Sequence, residues 1–154
     1  MKYLKFLLIM SFSVLFFTNC KKTDGISTPP DFNPKDLILT SGNEVVELKS
    51  KNDVNWWLTN FKINGKLIRN EDWDNTTGLI YSTVSEKDPV NPNSHYNGIN
   101  KIEFEDWFIW EKESNTLIKI YFKDNIGDSD RSFEFDASVG NSSDKINIKQ
   151  KGKE

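Results

Sequence analysis

The sequence predicts an all-β protein folded as a two-layer sandwich. Four segments alternate apolar and polar residues with a period of two: "EVVELKS", "LIKIYFK", "RSFEFDA" and "KINIKQ". Successive side chains of a strand point to opposite faces, so this alternation marks strands with one buried and one wet face. Between them lie "TSGN", "DNIGDSD" and "SVGNSSD", clusters of residues that favour turns through their own local hydrogen bonding. No segment beyond Pro34 carries a helical stripe of useful length. Short antiparallel strands joined by polar turns pack as a sandwich.

The N-terminus reads differently. Lys2 and Lys5 precede an apolar run from Phe6 to Phe17, broken only by Ser11 and Ser13. A helix of that length reaches about 18 Å, short of a hydrocarbon core of about 30 Å. A basic start, a short apolar centre and a small or polar exit make a secretory signal over residues 1–19. The lone cysteine, Cys20, ends it. Phe17-Thr18-Asn19-Cys20 resembles the lipobox of bacterial lipoproteins, in a relaxed form similar to that of Bacteroidetes, with Asn19 where the family prefers Gly or Ala. The resemblance implies that Cys20 is lipidated and becomes the first residue of the mature chain. Two or three acyl chains anchor a protein stably where one does not. A lipidated Cys20 leaves the domain with no thiol, hence no disulfide, thiolate nucleophile or Cys-ligated zinc.

Lys21 to Pro34, "KKTDGISTPPDFNP", holds three prolines and few apolar residues, and with Cys20 it reads as a flexible tether over residues 20–35. Lys21 after the cysteine resembles lipoproteins passed on to an outer membrane; the segment leaves periplasmic and surface-facing orientations open. Removing residues 1–19 takes away two lysines and no acids, leaving 18 basic against 23 acidic residues, a balance of −5. With no basic patch, nucleic acid is not an expected partner. Residues 36–154 suit one domain with a core that needs no disulfide.

Within that domain each strand has an expected inward face. Val46 and Leu48 oppose Glu47 and Lys49; Ile118, Ile120 and Phe122 oppose Lys119, Tyr121 and Lys123. Phe133, Phe135 and Ala137 oppose Ser132, Glu134 and Asp136, and Ile146 and Ile148 oppose Lys145, Asn147 and Lys149. Trp56 and Trp57 must face opposite ways if they share a strand, and Trp107 and Trp110 also if theirs is unbulged.

The C-terminal third, "NTLIKIYFKDNIGDSDRSFEFDASVGNSSDKINIKQKG", resembles the closing strands of BACON domains, immunoglobulin-like modules of Bacteroidetes surface proteins. The likeness lies in a strand ending near Asn125, a Gly/Asp turn, Arg131 opening the next strand, and a final "INIKQKG" with Gln150. "LILTSGNEVVELKSKNDVNWWLTN" resembles the family's opening hairpin and tryptophan-bearing third strand, and Trp107 suits its later tryptophan. The resemblance implies an immunoglobulin-like β-sandwich. Residues from about 65 to 100 exceed the family's loop and read as an insertion, with an extra hairpin containing "GLIYSTV".

All five tryptophans, Trp56, Trp57, Trp73, Trp107 and Trp110, fall between residues 56 and 110. An exposed indole is a platform for sugar C–H groups, and neighbouring Asn and Asp side chains bond hydroxyls. Trp73, set among Asn70, Asp72 and Asp74, is the leading candidate, and Tyr81, Tyr96 and Trp110 complete an expected ligand site on and beside the insertion. Buried packing is the competing account of each ring.

"DNIGDSD" offers Asp124, Asn125, Asp128 and Asp130 as hard oxygen ligands, but its spacing is not that of an EF-hand, and a turn explains it; no metal or other cofactor is assigned. His95, the sole histidine, has no acid close to it in sequence, and no nucleophile elbow is present. Glu103 and Glu105 read as the wet face of a strand rather than a catalytic pair. A non-enzymatic lipoprotein of the cell envelope is therefore expected, held to the membrane by lipid. Two functions stand open: a glycan-binding surface module, or a structural or protein-interaction accessory with an outer-membrane protein partner. Exposed tryptophans lining one groove favour the first, and buried ones the second.

Overall fold

The computed structural model describes residues 27–87 and 95–153. The expected signal segment, Cys20 and the first part of the tether lie outside them. Eleven strands follow one another: β1 (Phe32–Asn33), β2 (Asp36–Leu39), β3 (Glu44–Ser50), β4 (Trp57–Ile63), β5 (Lys66–Leu67), β6 (Leu79–Lys87), β7 (His95–Phe104), β8 (Phe108–Ser114), β9 (Leu117–Phe122), β10 (Arg131–Ser138) and β11 (Ser143–Gln150). A 3-10 segment, Asn70–Asn75, lies between β5 and β6.

The strands form two sheets. The first runs β1-β3-β9-β8-β7-β6 and the second β2-β11-β10-β4-β5. Without β6 and β7 the first sheet has the A-B-E-D order of an immunoglobulin sandwich, and β4, β10 and β11 stand as C, F and G. The extra strands are a hairpin added to the edge of β8, and it holds "GLIYSTV" as expected. Only Lys101–Phe104 of β7 pair with β8, so the hairpin runs past its neighbour.

The alternating segments become strands with the expected inward faces. Ile118, Ile120, Phe133, Phe135, Ala137 and Ile146 have no accessible surface, and Ile148 and Phe122 have almost none. The two sheets meet through aromatic rings: Phe133 of β10 stacks on Phe108 of β8 at 4.6 Å, and within its own sheet it meets Phe61 of β4 edge-on at 5.3 Å. On the closing strand, Ile148→Ala is expected to cost about 2–4 kcal/mol, the usual range for truncating a buried Ile. Thermal unfolding checks it, and an unchanged midpoint would mean that β11 does not close the core.

Three sequence expectations need correction. The tether does not extend to residue 35. Phe32 is fully buried, pairs with Ser50 and meets Trp56 edge-on at 5.4 Å. The buried carboxylate of Asp144 accepts a hydrogen bond from the Phe32 backbone N–H at 2.7 Å and one from Lys35 Nζ at 2.9 Å. This pull on Lys35, shared with Asp31, raises its pKa. The last part of the polar, proline-rich segment thus forms the edge strand β1, because one phenylalanine and one carboxylate hold it down. Second, Trp107 and Trp110 do not oppose each other: both are buried, since Trp107 lies in the turn before β8, where strand alternation does not apply. Third, Glu105 is in that turn at φ 46°, so only Glu103 belongs to the strand face.

The end of the sandwich opposite the chain entry is closed by a polar clamp. Gln150 is fully buried; its Oε1 accepts from Trp107 Nε1 at 2.9 Å, and its Nε2 donates to the carbonyls of Lys123 at 2.8 Å and Gly42 at 3.1 Å. The Arg131 guanidinium sits over the Trp107 ring at 5.7 Å. Asn125 donates to the carbonyls of Ser129 and Lys151, at 2.8 and 2.9 Å. Asp130 accepts from Lys149, from the Gly152 N–H and from Lys151, which holds its carboxyl down at about 2. The polar residues of "DNIGDSD" thus serve the fold, with Asn125 and Asp130 tying the turn to the C-terminal segment. A side chain at Gly152 would lie 2.4 Å from the Asp128 carbonyl oxygen, so only glycine lets that segment pass the turn.

Candidate binding surfaces

The expected ligand residues do not form an exposed aromatic site. Trp73 is 3 % exposed, although every sequence neighbour is polar. The 3-10 segment folds back after the buried Ile68, which aims its one large apolar side chain at the core. There the Trp73 ring meets Phe61 and Tyr81, each at 5.1 Å. Tyr81 is half-buried and donates its hydroxyl to Asp74 at 2.7 Å, a bond that raises the phenol pKa. Trp110 is fully buried on the inward face of β8, edge-on to Trp56 at 6.3 Å and Phe135 at 5.8 Å. Tyr96 stands on β7 opposite Glu86, and its side chain lies outside the described part. Trp73 and Tyr81 are therefore brought together, and Trp110 is not placed with them. Of the five tryptophans only Trp57, at 41 %, has an open face, as the alternation with Trp56 requires.

Two other surfaces stand out. The first is a cleft of about 520 Å³ between β5, the 3-10 segment and the end of β7. Lys66, Asp72, Asn75, Thr76 and Thr77 give it polar walls, and Leu67 and Phe104 are among its apolar lining. It lies on the insertion but holds no indole. Composition alone does not point to it, because these residues are ordinary turn formers until the 3-10 segment gathers them.

The second surface is the outer face of the first sheet. Pairing in register sets Val45 beside Tyr121, Tyr121 beside Ile109, Ile109 beside Glu103, and Glu103 beside Ile80. The result is one row across five strands, apolar except at Glu103. Val45 is 63 % exposed, Ile80 66 % and Tyr121 38 %. Single exposed apolar residues are common on surfaces, whereas large contiguous apolar patches are unusual on a monomer. The next row on the same face is Glu47, Lys119, Glu111 and Lys101, again side by side in register. Lys101 bridges to Glu103 at 2.8 Å and to Glu111 at 3.3 Å, and these acids raise its pKa. Lys119 bridges to Glu113 at 3.1 Å, and its pKa rises for the same reason. Among the described residues no cluster of three or more His, Cys, Asp or Glu is arranged to hold a metal ion.

No protein-family model matches the chain, and no curated protein matches it either. The NMR structure of a protein from Bacteroides thetaiotaomicron is similar to it, with a TM-score of 0.55 at 18 % identity, covering 86 % of this chain and 94 % of that one. Likeness at that identity speaks for a shared fold and for nothing further.

Proposed function

We propose that this chain is a non-catalytic accessory lipoprotein of the cell envelope that binds a protein partner through the outer face of its first sheet. The observation that carries the reading is the row Val45, Tyr121, Ile109 and Ile80, apolar side chains facing outward on a sheet whose other face already fills the core. The burial of four of the five tryptophans supports an interaction protein over a sugar-stacking module. The lipobox-like segment ending at Cys20 supports a lipid anchor, and Lys21 after it supports outer-membrane delivery. The immunoglobulin-like strand order supports a BACON-like reading of the domain.

A photo-crosslinking residue at Tyr121, introduced in living cells, tests the partner surface against the same residue at Lys145 on the opposite sheet. Adducts to protein are expected from Tyr121 only. No adduct from Tyr121, or equal adducts from both, would sink the reading. The anchor is tested separately: Cys20→Ser is expected to leave the membrane fraction or to remain unprocessed, and normal processing with full membrane retention would refute lipidation.

A second reading, glycan binding, rests on the cleft and not on the tryptophans. Its walls carry an amide, two hydroxyls, a carboxylate and an ammonium over an apolar lining, which suits a polyhydroxylated ligand. A glycan array probed with the protein would show specific spots lost in Asn75→Ala if this reading holds, and none if it does not.

A further inference from the structure

We infer that the partner for the outer face of the first sheet is a second copy of this chain, docked face to face about a two-fold axis parallel to the strands between β8 and β9. The inference rests on the reading that this face binds protein, and it adds who binds.

The charged row carries the argument. In spatial order it runs Glu47 on β3, Lys119 on β9, Glu111 on β8 and Lys101 on β7: negative, positive, negative, positive. A two-fold axis between the two middle strands reverses that order in the second copy. Glu47 then faces Lys101, and Lys119 faces Glu111, each twice by symmetry. Every charge in the row meets its opposite. A row of alternating sign with an even number of members is complementary to its own reversal, which an isologous interface requires. An unrelated partner places no such demand on it.

The centre of the apolar row agrees. The same axis sets Tyr121 against Ile109 of the second copy, twice, at the centre of the contact. Val45 falls opposite Glu103, whose carboxylate is turned aside to Lys101 at 2.8 Å. The sheet has six strands, so the axis passes through its middle and no strand near the centre lacks a counterpart. Aligned sheet packing keeps the strands of the two copies within about 30° of each other, and the central four strands make the contact. Such a contact is smaller than a standard interface of about 800 Å² per side, so association is expected to be weak in solution.

Charge reversal tests this without depending on the fold of any one variant. Lys119→Glu sets the new carboxylate against that of Glu111, twice. Glu111→Lys sets the new ammonium against that of Lys119, again twice. Sedimentation equilibrium of the full chain in density-matched detergent should show a dimer for the wild type. Each variant alone should associate about tenfold more weakly or worse, since two contacts are reversed together. Mixed, the two variants should recover association, because every facing pair across the heterodimer is again opposite in sign. Differently tagged variants should then co-purify with each other and not with themselves. Recovery on mixing cannot come from a change within one monomer, since each chain keeps its own defect.

A wild type that stays monomeric, a variant that dimerises as well as the wild type, or a mixture that fails to recover would overturn the inference. The two readings separate cleanly. Adducts from Tyr121 to a different protein, with a monomeric chain, would reject self-association and keep the docking face. No adducts of any kind would reject both.

Discussion

Replacing Gln150 by leucine is expected to cost about 3–5 kcal/mol and lower the melting temperature by about 10–20 °C. The volume barely changes; the loss is polar. The buried Trp107 N–H and the part-buried carbonyls of Lys123 and Gly42 would lose their Gln150 partner. Each orphaned group costs about 1–3 kcal/mol, so three together outweigh what the leucine gains by being apolar. Thermal unfolding followed by tryptophan fluorescence measures the effect. A shift of under about 5 °C would show that these bonds do not hold this end closed.

Trp73→Ala is expected to be as damaging, at about 3–5 kcal/mol, the range for removing a buried tryptophan. Phe61 would lose one face and Tyr81 its ring partner, and the 3-10 segment would lose the side chain that fastens it to the core. Trp73→Phe should retain most of the stability. The indole N–H is buried without a hydrogen-bond partner among the described residues, so losing it removes a cost along with some area. Chemical denaturation of both variants separates the outcomes. A Trp73→Ala chain as stable as the wild type would return the ring to the surface and revive it as a sugar platform.

The parts of the fold legible in the chain are those with a local period. β3, β9, β10 and β11 each spend six or more residues alternating, and a two-residue repeat fits little besides a half-buried strand. β1 and β2 carry no such signal: their place depends on Asp144, more than 100 positions away. Trp73 misleads because polarity is averaged over its neighbours, whereas a single 3-10 turn lets one side chain depart from its surroundings. The outer row is invisible in the sequence on different grounds. Val45, Tyr121, Ile109 and Ile80 lie on four different strands, and only the register brings them side by side.

The residues carrying the BACON resemblance prove informative in a different sense. Trp107, Arg131, Gln150 and Gly152 all belong to the clamp or to the turn beneath it. Their chemistry is spent on closing the sandwich. A sequence likeness built on such positions concerns folding alone and says nothing of the surface.

The route by which the chain enters the sandwich decides which pole of the domain lies nearer whatever holds its N-terminus. Ser27 bonds to Asn141 in the β10–β11 turn, and Phe32 pairs beside the end of β3, so the leash leaves from one pole of the molecule. The cleft and the Gln150 clamp occupy the other pole, about 25 Å away along strands of seven to eight residues. If the proposed lipid anchor holds the N-terminus, the entry pole is the one nearer the membrane and the cleft lies at the end farther from it. A two-fold axis parallel to those strands runs from that pole to the other. Both leashes of a pair would emerge at the same height, and both anchors would enter one leaflet without bending either chain. Confinement to that leaflet raises the chance of encounter in a way that free solution does not. An interface that holds two copies only weakly in free solution can therefore be filled more fully on a membrane, because both copies already present their sheet faces sideways.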